Sequence, residues 1–200
     1  MRTKAPFPSL LILAALVSAP RAGADAMAYA GVKDLRASGG NTVAEHHHDW
    51  KKHTAYVRIL DATSGKQLLE RPSPALTTLW VTPDGRYVVG LSTIKRANPS
   101  QLFILSRDGA FVHEEGVLCS DPRLGGLPCA ESVTNAVLWY DSERPEIDLV
   151  VQDNRPTALL VSELRNRECA SPKSDGMDPA EWKRLCPEPR RRIRLSLRTD

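Results

Sequence analysis

The sequence predicts an all-β fold: an antiparallel meander of blade-like four-stranded units, with one short helix. Three observations predict it. From Thr54 onward, short runs of β-branched, aromatic and apolar residues recur at regular spacing. Between them stand turn sequences such as Pro83-Asp84-Gly85 and Asp108-Gly109. In these, proline presets the turn dihedral, aspartate bonds back to the backbone and glycine accepts a positive φ. Finally, Val88-Val89 and Leu102-Phe103-Ile104-Leu105 are continuously apolar rather than alternating, which predicts central strands covered on both faces.

In chain order, residues 1–26 read as a secretory signal. Arg2 and Lys4 form a charged start, Leu10 to Ala19 an apolar stretch of about ten residues, and small residues follow, with cleavage expected after Ala26. That stretch is too short to cross a bilayer core needing about twenty residues. Residues 27–53 are poorly patterned and expected to be poorly ordered, with Gly39-Gly40 as a flexible point and one candidate strand from Thr42 to His48. The β domain occupies 54–200. Its expected strands are Tyr56–Leu60, Gln67–Glu70, Thr77–Thr82, Arg86–Thr93, Gln101–Ser106, Ala110–Glu114, Val133–Tyr140, Glu146–Gln152 and Thr157–Glu163. The helix is expected at Asp178–Leu185, where Asp178 caps and Pro179 suits the first helical position. The last strand, Arg192–Arg198, alternates arginines with Ile193, Leu195 and Leu197, the pattern of a half-buried strand.

Cysteine usage agrees with export to an oxidising compartment, periplasmic or extracellular. The four cysteines show no Cys-x-x-Cys spacing and allow three pairings. The sequential one, Cys119–Cys129 with Cys169–Cys186, is preferred because each bridge then closes an irregular loop with little core of its own. A zinc site using all four is the alternative, disfavoured by the distance in sequence between the pairs. After residue 26 the chain carries 24 basic and 23 acidic side chains, a net of +1. Seven basic and two acidic residues from Lys183 to Asp200 put +5 on the tail and leave −4 on the body. A basic stretch without interleaved aromatics argues for a solvated or self-paired face and against nucleic acid.

Thr77–Glu115 reads as one four-stranded unit, Val133–Arg198 as a second with the helix inserted before its last strand, and Tyr56–Glu70 as half of an earlier, degenerate unit. Leu79-Trp80-Val81-Thr82-Pro83-Asp84-Gly85-Arg86-Tyr87-Val88-Val89, with Gln101–Ser106 and Asp108-Gly109, resembles the WD40-like repeat of TolB-type β-propellers. Asp61–Lys66 is similar to the outer hairpin of such blades. The resemblance implies protein binding in the cell envelope. It covers about two blades, in a chain with material for two to three, fewer than a closed propeller needs, so the strands would close as a sandwich or small open barrel, or partial blades would pair with a second chain in a homo-oligomer.

For chemistry, the cluster Glu45-His46-His47-His48-Asp49 with His53 carries transition-metal ligand types. On a strand, His46 and His48 share one face while His47 and Asp49 share the other, so His46, His48 and His53 form the candidate metal site. No Gly-x-Ser-x-Gly elbow is present. Asp84 and Asp108 are explained by their Asp-Gly turns, and Trp80, Trp139 and Tyr140 by core packing. The expected function is therefore that of an exported, non-enzymatic binding or adaptor protein of the bacterial envelope. A transition-metal-binding exported protein and a secreted inhibitor or immunity-type protein are the alternatives.

Overall fold

The computed structural model describes residues 34–49, 52–125, 127–132, 135–143, 145–164, 178, 180 and 191–198. They form an all-β, antiparallel architecture without a closed barrel. The first sheet runs β1 (Leu35–Gly39), β2 (Thr42–Asp49), β3 (Thr54–Asp61) and β4 (Gln67–Pro72) in chain order. The middle sheet runs β5 (Thr78–Val81), β6 (Tyr87–Leu91), β7 (Leu102–Ser106) and β8 (Val112–Glu115), also in chain order. A small ribbon pairs β9 (Ala130–Glu131) with β10 (Val137–Leu138). The third sheet orders β11 (Ile147–Gln152), β12 (Arg155–Ser162) and β13 (Arg192–Ser196). Among the described residues no helix is long and apolar enough to cross a membrane.

The middle sheet lies between the other two. Val88, Phe103 and Leu105 pack on Ala44, Val57 and Ile59 of the first sheet. Val89, Leu91, Leu102 and Ile104, from the same two strands, pack toward Leu159, Val161, Ile193 and Leu195 of the third. Successive strand residues point to opposite faces, so only a continuous apolar run can serve two neighbours at once. Trp139 and Tyr140 are fully buried between the middle and third sheets. The Trp139 indole donates to the Ser92 carbonyl at 3.0 Å. The Tyr140 hydroxyl sits 3.1 and 2.9 Å from the Thr77 and Thr78 hydroxyls. Burial pushes its phenol up to about 12, so it acts as a neutral hydrogen-bonding core residue.

Several expectations need correction. Within 27–53, expected to be poorly ordered, the described residues build β1 and β2, and the earlier unit is a complete four-stranded sheet. Its first strand is Leu-Arg-Ala-Ser-Gly, too short and too polar to signal itself; pairing with β2 over Leu35↔His46 to Gly39↔Thr42 is what defines it. Gly39-Gly40 is a tight docking point. Gly40 has φ +51, and a Cβ on Gly39 would stand 2.2 Å from the Thr82 carbonyl oxygen. Only glycine lets the β1–β2 hairpin approach the Pro83-Asp84-Gly85 turn so closely, and the Thr42 hydroxyl then donates to the Gly85 carbonyl at 2.7 Å. Of the strand expected over Val133–Tyr140, the described residues form β10, and Trp139 and Tyr140 leave the ladder to fill the core. The expected helix falls almost wholly outside the described residues; the Asp178 carboxylate does accept the Ala180 amide at 2.8 Å. β13 has the expected half-buried alternation, Ile193 and Leu195 inward and the arginines outward.

Candidate interaction surface

At one end of the three sheets, turns converge on an open cleft of about 720 Å³. The middle sheet supplies Asp84 and Arg86 from its β5–β6 turn and Arg107 and Asp108 from its β7–β8 turn, the first sheet supplies Leu68 of β4, and the third supplies Asn154. Each turn follows from its sequence. Asp84 accepts the Thr82 hydroxyl at 2.6 Å and the Arg86 amide at 3.1 Å. Asp108 repeats this with the Ser106 hydroxyl at 2.5 Å and the Ala110 amide at 3.0 Å. The Asp153-Asn154 pair, both at positive φ, turns β11 into β12, as side chains tolerant of the left-handed region allow.

These bonds settle the electrostatics. The Thr82 hydroxyl and then Arg86 hold Asp84 down at about 2, and the Ser106 hydroxyl with the Ala110 amide holds Asp108 below the usual carboxylate range. Both are fixed anions near neutral pH, and a general acid must carry a proton there. The guanidinium groups are positioned rather than loose. Arg86 bonds Asp84 at 2.6 Å and the Asn154 side chain at 3.2 Å. Arg107 reaches Asp61 of the first sheet at 3.0 Å, and the Tyr87 hydroxyl donates to the Asn154 carbonyl at 2.7 Å. Leu68, at 43% relative exposure, is one of two large hydrophobic side chains left exposed among the described residues.

Among the described residues, His46, His48 and His53 are not grouped as a metal site. His46 and His48 do share the inner side of β2, but His46 is buried and sits 3.2 Å from the Pro74 carbonyl. His53 occupies the β2–β3 turn at φ +53, and His47 lies on the other face, 2.6 Å from Asp34. Among the described residues, no three His, Cys, Asp or Glu side chains are grouped to hold a metal ion. His46 is an interior side chain: burial holds its imidazole down at about 4, and its Nδ1 has no hydrogen-bond partner.

Cys119 and Cys129 form a disulfide, the loop pairing preferred from sequence; Cys169 and Cys186 lie outside the described residues. Sequence reasoning missed the ionic cluster that this loop builds. Arg123 Nη1 donates to both Glu115 carboxylate oxygens, at 2.9 and 3.0 Å, and to the Ser196 carbonyl of β13 at 2.8 Å. Asp121 holds Arg123 through Nη2 at 2.5 Å and accepts Arg198 at 3.1 Å, while His113 Nε2 stands 3.6 Å from Glu115. Burial works against ionised Glu115, yet the nearby His113 ring and the Arg123 hydrogen bonds outweigh it and keep the carboxyl below its ordinary value. The available signal was the Asp-Pro-Arg run after Cys119, an Asp-capped turn. No protein-family model matches this chain, nor does any curated protein or solved structure.

Proposed function

We propose that the chain is an exported, non-enzymatic binding or adaptor protein of the bacterial envelope, engaging a protein partner through the turn-lined cleft and the adjoining β4 edge. The observation that carries this reading is the make-up of the cleft. All three sheets contribute to it, and its charged groups are locked for recognition, with two guanidinium groups beside an exposed leucine. Arginine beside an apolar anchor is a composition that binding surfaces favour. The Cys119–Cys129 bridge fits an oxidising compartment, in keeping with the signal-like residues 1–26. The blade-like meanders supply a rigid platform for loops, as the WD40-like resemblance implies.

The test is crosslinking capture from envelope extract with wild-type chain and the Leu68→Asp and Arg107→Glu variants. A partner that crosslinks at the cleft and is lost in both variants is expected. Turnover of a hydrolase substrate by the purified chain, with no cleft-dependent partner, would contradict the reading.

A further inference from the structure

We propose that the Cys119–Cys129 loop is a redox-released latch that fastens strand β13, through Arg123, to the edge of the middle sheet. This stands independently of the cleft and its partner. Within the loop, Asp121 caps the 3-10 turn Pro122–Leu124 and grips Arg123. The Arg123 fork is thereby aimed at two strands from different sheets, Glu115 at the end of β8 and the Ser196 carbonyl at the end of β13. Leu124, on the same turn, packs in one cluster with Ile193 and Leu195 of β13. Beyond β13, Arg198 returns to Asp121. The Glu115 and Asp121 side chains are only 5% and 2% exposed, and that of Arg123 17%. Such a cluster holds while every charge has its partner and fails as a unit when one is withdrawn. The loop that supplies Arg123 has little regular structure apart from its 3-10 turn, so the covalent bridge restricts the freedom it would otherwise regain.

A dithiol supplies the chemistry. One of its thiolates attacks a sulfur of the bridge, forming a mixed disulfide and expelling the other cysteine as thiolate. The second thiol then closes the reagent's own disulfide. Two electrons and two protons end on Cys119 and Cys129. The exposed neighbours Leu118, Ser120, Pro128 and Ala130 leave the bridge approachable. Opening the loop withdraws Arg123 from Glu115 and Ser196, so β13 loses its polar tie to the edge of the middle sheet and keeps its ladder with β12 and the packing of Ile193 and Leu195.

Trypsin provides the readout, because Arg194 lies in the middle of β13 and cleavage there follows the fraction of molecules in which the strand is free. Cys119→Ser with Cys129→Ser leaves Cys169 and Cys186 untouched and mimics the reduced bridge. Cleavage at Arg194 is expected to accelerate on the order of 100-fold in this variant. Cleavage at Arg58 in β3 should keep its wild-type rate. Arg123→Met, with the bridge intact, should accelerate Arg194 cleavage at least about 10-fold, since charged hydrogen bonds are lost. Should that variant not fold, Arg123→Lys, which keeps the charge but not the fork, replaces it. Treating wild type with a dithiol should reproduce the cysteine variant. Unchanged Arg194 cleavage in the cysteine variant or in the folded Arg123 variant overturns the latch. So does Arg58 cleavage rising in step with Arg194 in the cysteine variant, which would make the bridge a staple for the whole molecule.

Discussion

The first and middle sheets share one topology, four strands in chain order, yet they meet their surroundings in opposite ways. The middle sheet is apolar on both sides: every residue of β6 and β7 is buried. The first sheet is apolar on one side only. Its other side carries a row of charges along the register Arg36↔Glu45↔Arg58↔Glu70. Arg36 reaches Glu45 at 2.5 Å, and Arg58 reaches Glu70 at 2.9 Å and Glu45 at 3.9 Å. Stacked repeats need a polar outer face where the stack stops, and the Arg-Glu ladder gives the first sheet one. The difference lies in side-chain pattern, not backbone, and it decides which sheet is central.

Unequal consequences for mutation follow. The largest is expected at Phe103 of β7, buried against the first sheet. Phe103→Ala should cost about 3–5 kcal/mol in denaturant unfolding, whereas Tyr56→Ala on the charged face of the first sheet should cost about 1 kcal/mol or less. Equal losses would mean that the middle sheet is not the shared core. Close behind come the glycines where sheets meet. A Cβ on Gly39 would strike backbone, and one on Gly90 would stand 2.4 Å from Leu76 Cδ1. Gly39→Ala and Gly90→Ala should each cost about 1–3 kcal/mol. Gly39→Ala should be the worse, because a leucine can change rotamer and a carbonyl fixed in a turn cannot.

Next in size is pH. His46 titrates at 6.5 when free and at about 4 in the folded chain, so between those values the unfolded state binds the proton more readily. The resulting penalty is absent above 6.5, grows as pH falls toward 4 and is complete below it, reaching about 3 kcal/mol. The unfolding midpoint of His46→Leu should therefore fall less between pH 6.5 and 4 than that of wild type. Parallel curves would show that the imidazole is not buried neutral. The smallest effect belongs to the ladder. Glu45→Gln should cost less than about 1 kcal/mol, fading in high salt, as exposed ion pairs do.

This contrast also marks what was legible in the sequence. The double coverage of the middle sheet was readable from Val88-Val89 and Leu102–Leu105, because unbroken apolar strands have one physical explanation. The turns at Asp84 and Asp108 were readable because Thr/Ser-x-Asp followed by glycine satisfies its own backbone. β1 was not, since a five-residue polar strand exists only through its partner. The surroundings of the His46–His53 cluster were hidden for a related reason: ligand types adjacent in sequence say nothing of burial, and His46 serves the interior between Leu35, Val57 and the Pro74 carbonyl. The cleft and the Arg123 cluster were equally hidden. Both depend on segments far apart in the chain, Asp61 with Arg107 and Arg123 with Ser196, and no local pattern encodes such meetings.

Residue-resolved native-state hydrogen exchange tests most directly whether the middle sheet is the core on which everything else is mounted. The slowest amides should be those of β6 and β7, exchanging only through global unfolding, with the amides of β1 and β4 opening at lower free energy. Finding the β2 and β3 amides protected as long as or longer than those of β6 and β7 would contradict a doubly covered middle sheet and the cleft built on its turns.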